Sequence, residues 1–125
     1  MPTRILLVED NAVYRASLEL LLGLQAGVEV VGTVGTGDEA AAAAARLGAE
    51  VVLMDYRLPG IDGAAATRAV VASSGAAVLC LTAEATSEER DEVLRAGAVG
   101  LLEKGGSIEA LAEAIHGAAP PTAAQ

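Results

Sequence analysis

Aromatic residues and cysteine are scarce: the 125 residues include two tyrosines and one cysteine, and neither tryptophan nor phenylalanine. A single cysteine, Cys80, cannot form an internal disulfide, and its apolar neighbours indicate a buried thiol rather than a reactive one. The core must therefore consist of aliphatic side chains, and hydrophobic residues make up 53% of the chain. A chain of this length has room for one core, which predicts a single domain.

Basic charge and long apolar runs are also lacking. Lysine and arginine number 8 against 17 acidic residues, and the net charge of −9 argues against nucleic-acid binding by this domain alone. No apolar run approaches the about 20 residues that a membrane span requires. The first residues, Met1-Pro2-Thr3-Arg4, lead into a short apolar segment and do not resemble a signal peptide. The sequence predicts a cytoplasmic protein without membrane contact.

Short apolar runs alternate with stretches of helical periodicity, a pattern typical of β/α units in a parallel sheet. The runs are rich in Val and Leu, as expected for strands covered on both faces. We predict a doubly wound α/β fold with five strands, at residues 5–8, 28–34, 51–54, 77–81 and 99–102. The predicted helices span 12–24, 38–47 and about 64–72, followed by one from a capping box at Thr86 to Gly97 and one from an N-cap at Ser107 to about Gly117.

The end of the chain differs in composition from the rest. Residues 118–125 are rich in Ala and contain Pro120-Pro121, so we expect a domain at 1–117 followed by a tail or the start of a linker. The only histidine, His116, falls in the last predicted helical turn, where a structural role is expected.

Charged and hydroxyl residues follow four of the predicted strands. The third strand is followed by Asp55, and ligands of open parallel sheets bind at these carboxyl ends. If the first and third strands are neighbours, three carboxylates converge, and they repel one another unless they share a hard cation such as Mg²⁺. Taken singly, each residue has a simpler explanation: an acid or Asn11 could cap the first helix, a threonine could form a turn and a lysine could be solvated. The residues concerned are Glu9, Asp10, Asp55, Thr82 and Lys104.

Four segments, each closing or leading to a strand, occur in an order that resembles the receiver domain of two-component response regulators. They are Leu7-Val8-Glu9-Asp10-Asn11, residues 54–63, Leu81-Thr82-Ala83, and Ala96-Gly97-Ala98 with the stretch up to Lys104. The resemblance covers about residues 4–117. It implies a flavodoxin-like fold with the strand order 2-1-3-4-5.

The same resemblance implies a site and its partners. Asp55 is expected to accept a phosphoryl group from a sensor histidine kinase, while Thr82 and Lys104 contact the phosphoryl oxygens. Mg²⁺ is expected to be held by Asp10, Asp55 and the backbone carbonyl of Arg57, with Glu9 acting through water. The module would control an output domain or effector protein, with transcription regulation as one candidate output, and would not be an enzyme beyond slow self-dephosphorylation. A homodimer that forms on phosphorylation is a further expectation.

The sequence departs from the family pattern in two places, one before and one after Lys104. Leu101 stands where the family usually has a switching Tyr or Phe, and Gly105-Gly106 replaces a frequent cis-proline, so we expect trans bonds there. The resemblance also implies that the side chains two residues beyond Asp55 and Thr82 stand at the mouth of the site and influence hydrolysis of the aspartyl phosphate. Arg57 and Glu84 hold these positions, and we predict that their opposite charges pair and slow that hydrolysis.

Two other functions use the same fold or chemistry. A phosphatase or phosphotransferase with an aspartate nucleophile would favour a second acid two residues after Asp55, where Arg57 stands. A flavodoxin-like cofactor-binding domain would need a phosphate-binding loop after the first strand, where Glu9-Asp10 would repel a phosphate. Neither is preferred.

Overall fold

The computed structural model describes residues 2–119, which form five β/α units. The strands are β1 (Thr3–Val8), β2 (Val28–Val34), β3 (Val51–Asp55), β4 (Ala77–Thr82) and β5 (Gly100–Glu103). The helices are α1 (Ala12–Gly23), α2 (Ala40–Leu47), α3 (Gly63–Ser74), α4 (Ser87–Arg95) and α5 (Ile108–Ala118), with a 3-10 turn at Gly37–Glu39 before α2.

All five strands lie in one parallel sheet with the order β2-β1-β3-β4-β5, which confirms the predicted doubly wound fold. The register sets the geometry of the carboxyl edge. Val8 pairs with Met54, so the residues that follow them, Glu9 and Asp55, emerge side by side. Thr82 pairs with Glu103, which places Lys104 directly beyond this edge.

The sheet separates two aliphatic cores, because successive strand side chains point to opposite faces. Leu6, Val52 and Met54 lie in the core covered by α2, α3 and α4. Leu7 and Leu53 lie in the core covered by α1 and α5. Both faces are closed without a buried Phe or Trp, as the composition requires.

Helix starts follow the capping chemistry of the sequence. Side chains of Asn11, Asp62, Thr86 and Ser107 each accept a hydrogen bond from a backbone N–H in the first turn of their helix. The predicted helix at 38–47 is shorter than expected, because its first residues form the 3-10 turn. None of the helices in residues 2–119 has the length and apolar character that crossing a membrane requires.

Three further predictions concern single residues. Cys80 is fully buried, and burial raises the pKa of its thiol to about 11. His116 supports the loop before β2: its Nε2 lies 3.2 Å from the carbonyl oxygen of Ala26, and its ring leaves no room for a Cβ at Gly27. The peptide bonds of residues 2–119 are all trans, including those of the loop that contains Gly105. Of the predicted tail at 118–125, residues 120–125 lie outside the described range.

Candidate functional site

Three carboxylates meet at the carboxyl edge of β1 and β3. Glu9 and Asp55 are buried, with 3% and 4% of their surface exposed, whereas Asp10 is exposed. One carboxylate oxygen from each residue lies within 4.8 Å of the other two. Oxygen donors at this spacing are those that a hard divalent cation such as Mg²⁺ prefers, so the residues present fit the predicted metal.

Lys104 balances the buried negative charge. Its Nζ lies 2.9 Å from Oε1 of Glu9 and 3.2 Å from Oδ1 of Asp55. Burial alone would lower the pKa of the Lys104 ammonium, but its hydrogen bond to Glu9 and the charge of Asp55 outweigh burial and raise the pKa. Burial raises the pKa of Asp55 to about 6 even though the Arg57 N–H and Lys104 favour its charged form. At pH 7.5 the Asp55 side chain is therefore a carboxylate.

The segment after β1 is fixed by backbone contacts. The Asn11 N–H donates to Oε2 of Glu9 at 3.0 Å, and Arg15 Nη1 donates to the Glu9 carbonyl oxygen at 2.6 Å. Asn11 Oδ1 accepts from the Tyr14 N–H and so caps α1. Because Asn11 provides the cap, the carboxylate of Asp10 is not needed there.

The segment after β3 carries Asp55 and closes tightly on itself. The Arg57 N–H donates to Oδ1 of Asp55 at 3.1 Å, and the Gly63 N–H donates to the Tyr56 carbonyl oxygen at 3.0 Å. A Cβ at Gly63 would lie 2.6 Å from the Asp55 carbonyl oxygen, closer than any side chain tolerates. Gly63 was noted from the sequence only as the last residue of the segment 54–63, and the structure shows that this position needs a glycine.

Thr82 lies at the margin of the site with its hydroxyl already engaged. The residue is buried, and Oγ1 donates to Oε1 of Glu89 at 2.9 Å. Its carbonyl oxygen accepts from the Lys104 N–H at 2.7 Å, which ties the end of β4 to Lys104. Glu89 was not among the site residues predicted from the sequence.

The predicted ion pair between Arg57 and Glu84 is wrong: Arg57 pairs with a different glutamate. Arg57 Nη2 lies 3.6 Å from Oε2 of Glu89, and Glu84 is exposed. The cause is the start of α4, which is capped by Thr86 and turns the side chain of Glu89 back toward Thr82. The side chain of Arg57 is 76% exposed, so the pair contributes little to stability.

Both tyrosines of the chain flank this site. Lys104 Nζ lies 4.9 Å from the ring centroid of Tyr14, within reach of a cation–π interaction, and burial raises the pKa of Tyr14. Tyr56 donates a hydrogen bond to Glu92 on α4, which together with some burial raises the pKa of Tyr56 to about 12. Leu101, which stands where the resemblance would predict an aromatic ring, is packed in the core with 2% of its surface exposed.

Comparison with known proteins gives a consistent result. A sequence model of the family described as "Response regulator receiver domain" matches residues 5–116. The response regulator UvrY of Escherichia coli K12 is 34% identical over 113 residues, which cover 90% of this chain and 52% of UvrY. A protein-glutamate methylesterase/protein-glutamine glutaminase of Geobacter metallireducens is 37% identical over 93 residues, which cover 74% of this chain and 27% of that protein.

Solved structures agree. The signal receiver domain of NarL from Mycobacterium tuberculosis superposes with a TM-score of 0.87 at 28% identity, and the match covers 93% of this chain and 94% of that one. The chemotaxis protein CheY4 of Vibrio cholerae superposes with a TM-score of 0.85 at 29% identity and covers 94% and 99%. The chain spans about half the length of UvrY and about a quarter of the methylesterase.

Proposed function

The chain belongs to the response regulator receiver domain family of two-component signalling, and we propose that phosphorylation of Asp55 switches it between two states. One observation carries the proposal. Three carboxylates meet within 4.8 Å at the carboxyl edge of the sheet, and an ammonium group lies 3.2 Å from the one expected to react.

The metal in this proposal is Mg²⁺, held by Asp10, Asp55 and the backbone carbonyl of Arg57, with Glu9 acting through water. The oxygen donors of this site and its local excess of negative charge support the assignment of Mg²⁺. When bound, the cation would neutralise the carboxylates and reduce their repulsion of an anionic phosphoryl group.

The protein's own residues orient the reaction. A carboxylate oxygen of Asp55 forms a bond to phosphorus while the bond between phosphorus and the imidazole nitrogen of the kinase phosphohistidine breaks, and that nitrogen keeps the electron pair. The Arg57 N–H holds Oδ1 and so fixes the orientation of the carboxyl group. Lys104, already beside Asp55, would turn its ammonium to the new phosphoryl oxygens, and Thr82 would supply a hydroxyl.

The product carries more negative charge than the free aspartate, which gives the switch its driving force. An aspartyl phosphate adds charge next to the buried Glu9, so Lys104 is drawn toward the phosphoryl group. Movement of Lys104 and Thr82 would reposition the segment between β4 and α4, because the Lys104 N–H and the Thr82 carbonyl are joined.

The output of the switch is part of the same proposal. We propose a sensor histidine kinase as the donor, a cytoplasmic location, and control of an effector protein or of an output domain joined through the segment at 118–125. UvrY is a response regulator and the Geobacter relative is a methylesterase, so its relatives carry different outputs. A DNA-binding output would suit regulation of transcription, and dimerisation on phosphorylation would be one way to control it.

Intact mass after incubation with acetyl phosphate tests the site. We expect wild type to gain one phosphoryl group only with Mg²⁺, and Asp55→Asn to gain none. Asp62→Asn is the matched control, because Asp62 is an exposed aspartate that caps α3 and asparagine can keep that cap. Phosphorylation of Asp55→Asn at the wild-type level would refute the assignment.

A further inference from the structure

The hydroxyl of Thr82 already has an acceptor. It donates to Oε1 of Glu89 at 2.9 Å, and the Glu89 side chain is only 13% exposed. A hydroxyl has one hydrogen to donate, so Thr82 cannot donate to Glu89 and to a phosphoryl oxygen at the same time. Engagement of a phosphoryl group by Thr82 therefore requires loss of the bond to Glu89.

The carboxylate of Glu89 also has a second possible donor, the backbone N–H of the N-cap residue of α4. The residue occupies the third position of α4, and its N–H donates to Oγ1 of the N-cap Thr86 at 3.1 Å. In a complete capping box the carboxylate of that third residue would return to the N-cap N–H. Here the carboxylate instead contacts Thr82 and, at 3.6 Å, the guanidinium of Arg57. Only half of the box is formed.

We propose that Glu89 is a positioning residue that holds Thr82 in the resting state and completes the cap of α4 when Thr82 turns to the phosphoryl group. This proposal rests on the proposed function. It adds a connection between the phosphorylation site at the carboxyl edge of the sheet and the first turn of α4. Leu101 is buried and has neither a ring nor a hydroxyl, so the Glu89 carboxylate provides a different route by which the site reaches α4.

The first expected effect is on the balance between the two states. Removal of the Glu89 carboxylate frees Thr82, so the state with Thr82 turned to the phosphoryl group becomes easier to reach. The variant also loses the bond that Glu89 would make to the Thr86 N–H in the other state, so only the difference between the two bonds counts. Thr82 is buried whereas Thr86 is exposed, so the bond to Thr82 is the stronger one, and the difference corresponds to about a three- to tenfold change in an equilibrium constant. Arg57 adds little to this figure because its side chain is exposed.

The experiment measures the affinity for beryllofluoride, a phosphoryl analogue, in the presence of Mg²⁺ by ¹⁹F NMR. We expect Glu89→Ala to bind the analogue about three- to tenfold more tightly than wild type. In a Thr82→Val background, Glu89→Ala should change the affinity by less than about twofold, because the hydroxyl that Glu89 holds is absent.

The matched control is Glu88→Ala. Glu88 is the other acid in the first turn of α4, is exposed, and shares any general effect of negative charge on the helix dipole. Its loss should leave the affinity unchanged. The Thr86 amide should also change its NMR shift when wild type binds the analogue, because Glu89 reaches its N–H, and this change should be smaller in Glu89→Ala, where only the rearrangement of the segment remains.

The outcomes separate the two proposals. If wild type does not bind beryllofluoride with Mg²⁺, the proposed function fails and this inference fails with it. If wild type binds the analogue but Glu89→Ala does not bind it more tightly, the inference alone is overturned. A gain of the same size in Glu88→Ala, or in the Thr82→Val background, would also overturn it, because the effect would then come from the stability of α4.

Discussion

Replacement of Asp55 by asparagine should make the metal-free protein more stable. The Asp55 carboxylate is buried beside the buried carboxylate of Glu9, and burial is the main reason that its pKa rises from 3.8 to about 6. A folded-state pKa above the usual value means that folding disfavours the charged form. Asparagine keeps the shape and the oxygen that accepts from the Arg57 N–H, but it carries no charge.

The size and sign of the effect depend on pH. Below pH 3.8 the carboxyl group is protonated in both the folded and the unfolded chain, so its ionisation costs nothing. The cost grows as pH rises from 3.8 to about 6 and is constant above. At about 1.36 kcal/mol for each pKa unit, we expect Asp55→Asn to raise the free energy of unfolding by about 3 kcal/mol at pH 7.5 and about half as much at pH 5.

Urea unfolding in EDTA, followed by far-UV circular dichroism at both pH values, measures this difference. Asp62→Asn makes the same chemical change at an exposed position and should alter the free energy of unfolding by less than about 0.5 kcal/mol. A variant Asp55→Asn that is no more stable than wild type at pH 7.5, or whose gain is equal at both pH values, would refute the electrostatic argument.

Three further expectations follow from contacts at the same edge. Lys104→Met leaves the buried carboxylates of Glu9 and Asp55 without their shared cation and should lower the free energy of unfolding in EDTA by about 2–4 kcal/mol, with partial recovery in Mg²⁺; no loss in urea unfolding would contradict it. Gly63→Ala should cost about 1–3 kcal/mol through its clash with the Asp55 carbonyl, whereas Gly23→Ala, which meets no atom within 4 Å, should not be destabilising in the same assay. On binding of beryllofluoride, amide exchange should change at residues 82–86 and 105–106 and leave Leu101 unchanged; large changes centred on Leu101 would count against this.

The sequence was sufficient for the strands and most helices because their signals are local. Apolar runs without alternation gave β1, β3 and β4, and capping residues such as Thr86 and Ser107 marked helix starts. The strand order came from the family resemblance and not from the composition of any strand. The start of α2 was placed two residues early because residues 38 and 39 belong to a 3-10 turn. Gly37, which opens this turn, lies close to Ile61, a contact between distant segments that no local pattern shows.

At the site, too, residues placed by local signals were predicted from the sequence and residues placed by the packing of a helix were not. Asp55 and Lys104 were found because they end or follow strands, and parallel strands bring such positions to one edge. Glu89 was missed because its contact with Thr82 depends on the direction in which α4 leaves its N-cap. The expected partner of Arg57, Glu84, was chosen from the position that the family places at the mouth of the site, whereas the direction of α4 brings Glu89 to the guanidinium instead.

The two tyrosines give this protein a built-in optical reporter. Tyr14 and Tyr56 are its only aromatic residues, so its intrinsic ultraviolet fluorescence comes from the two sides of the carboxylate site alone. The Tyr14 ring faces the ammonium of Lys104, and the Tyr56 phenol donates to a carboxylate, an acceptor that promotes proton loss in the excited state and quenches emission. Any rearrangement that moves Lys104 or the acidic face of α4 should therefore alter tyrosine emission without a label and without background from tryptophan.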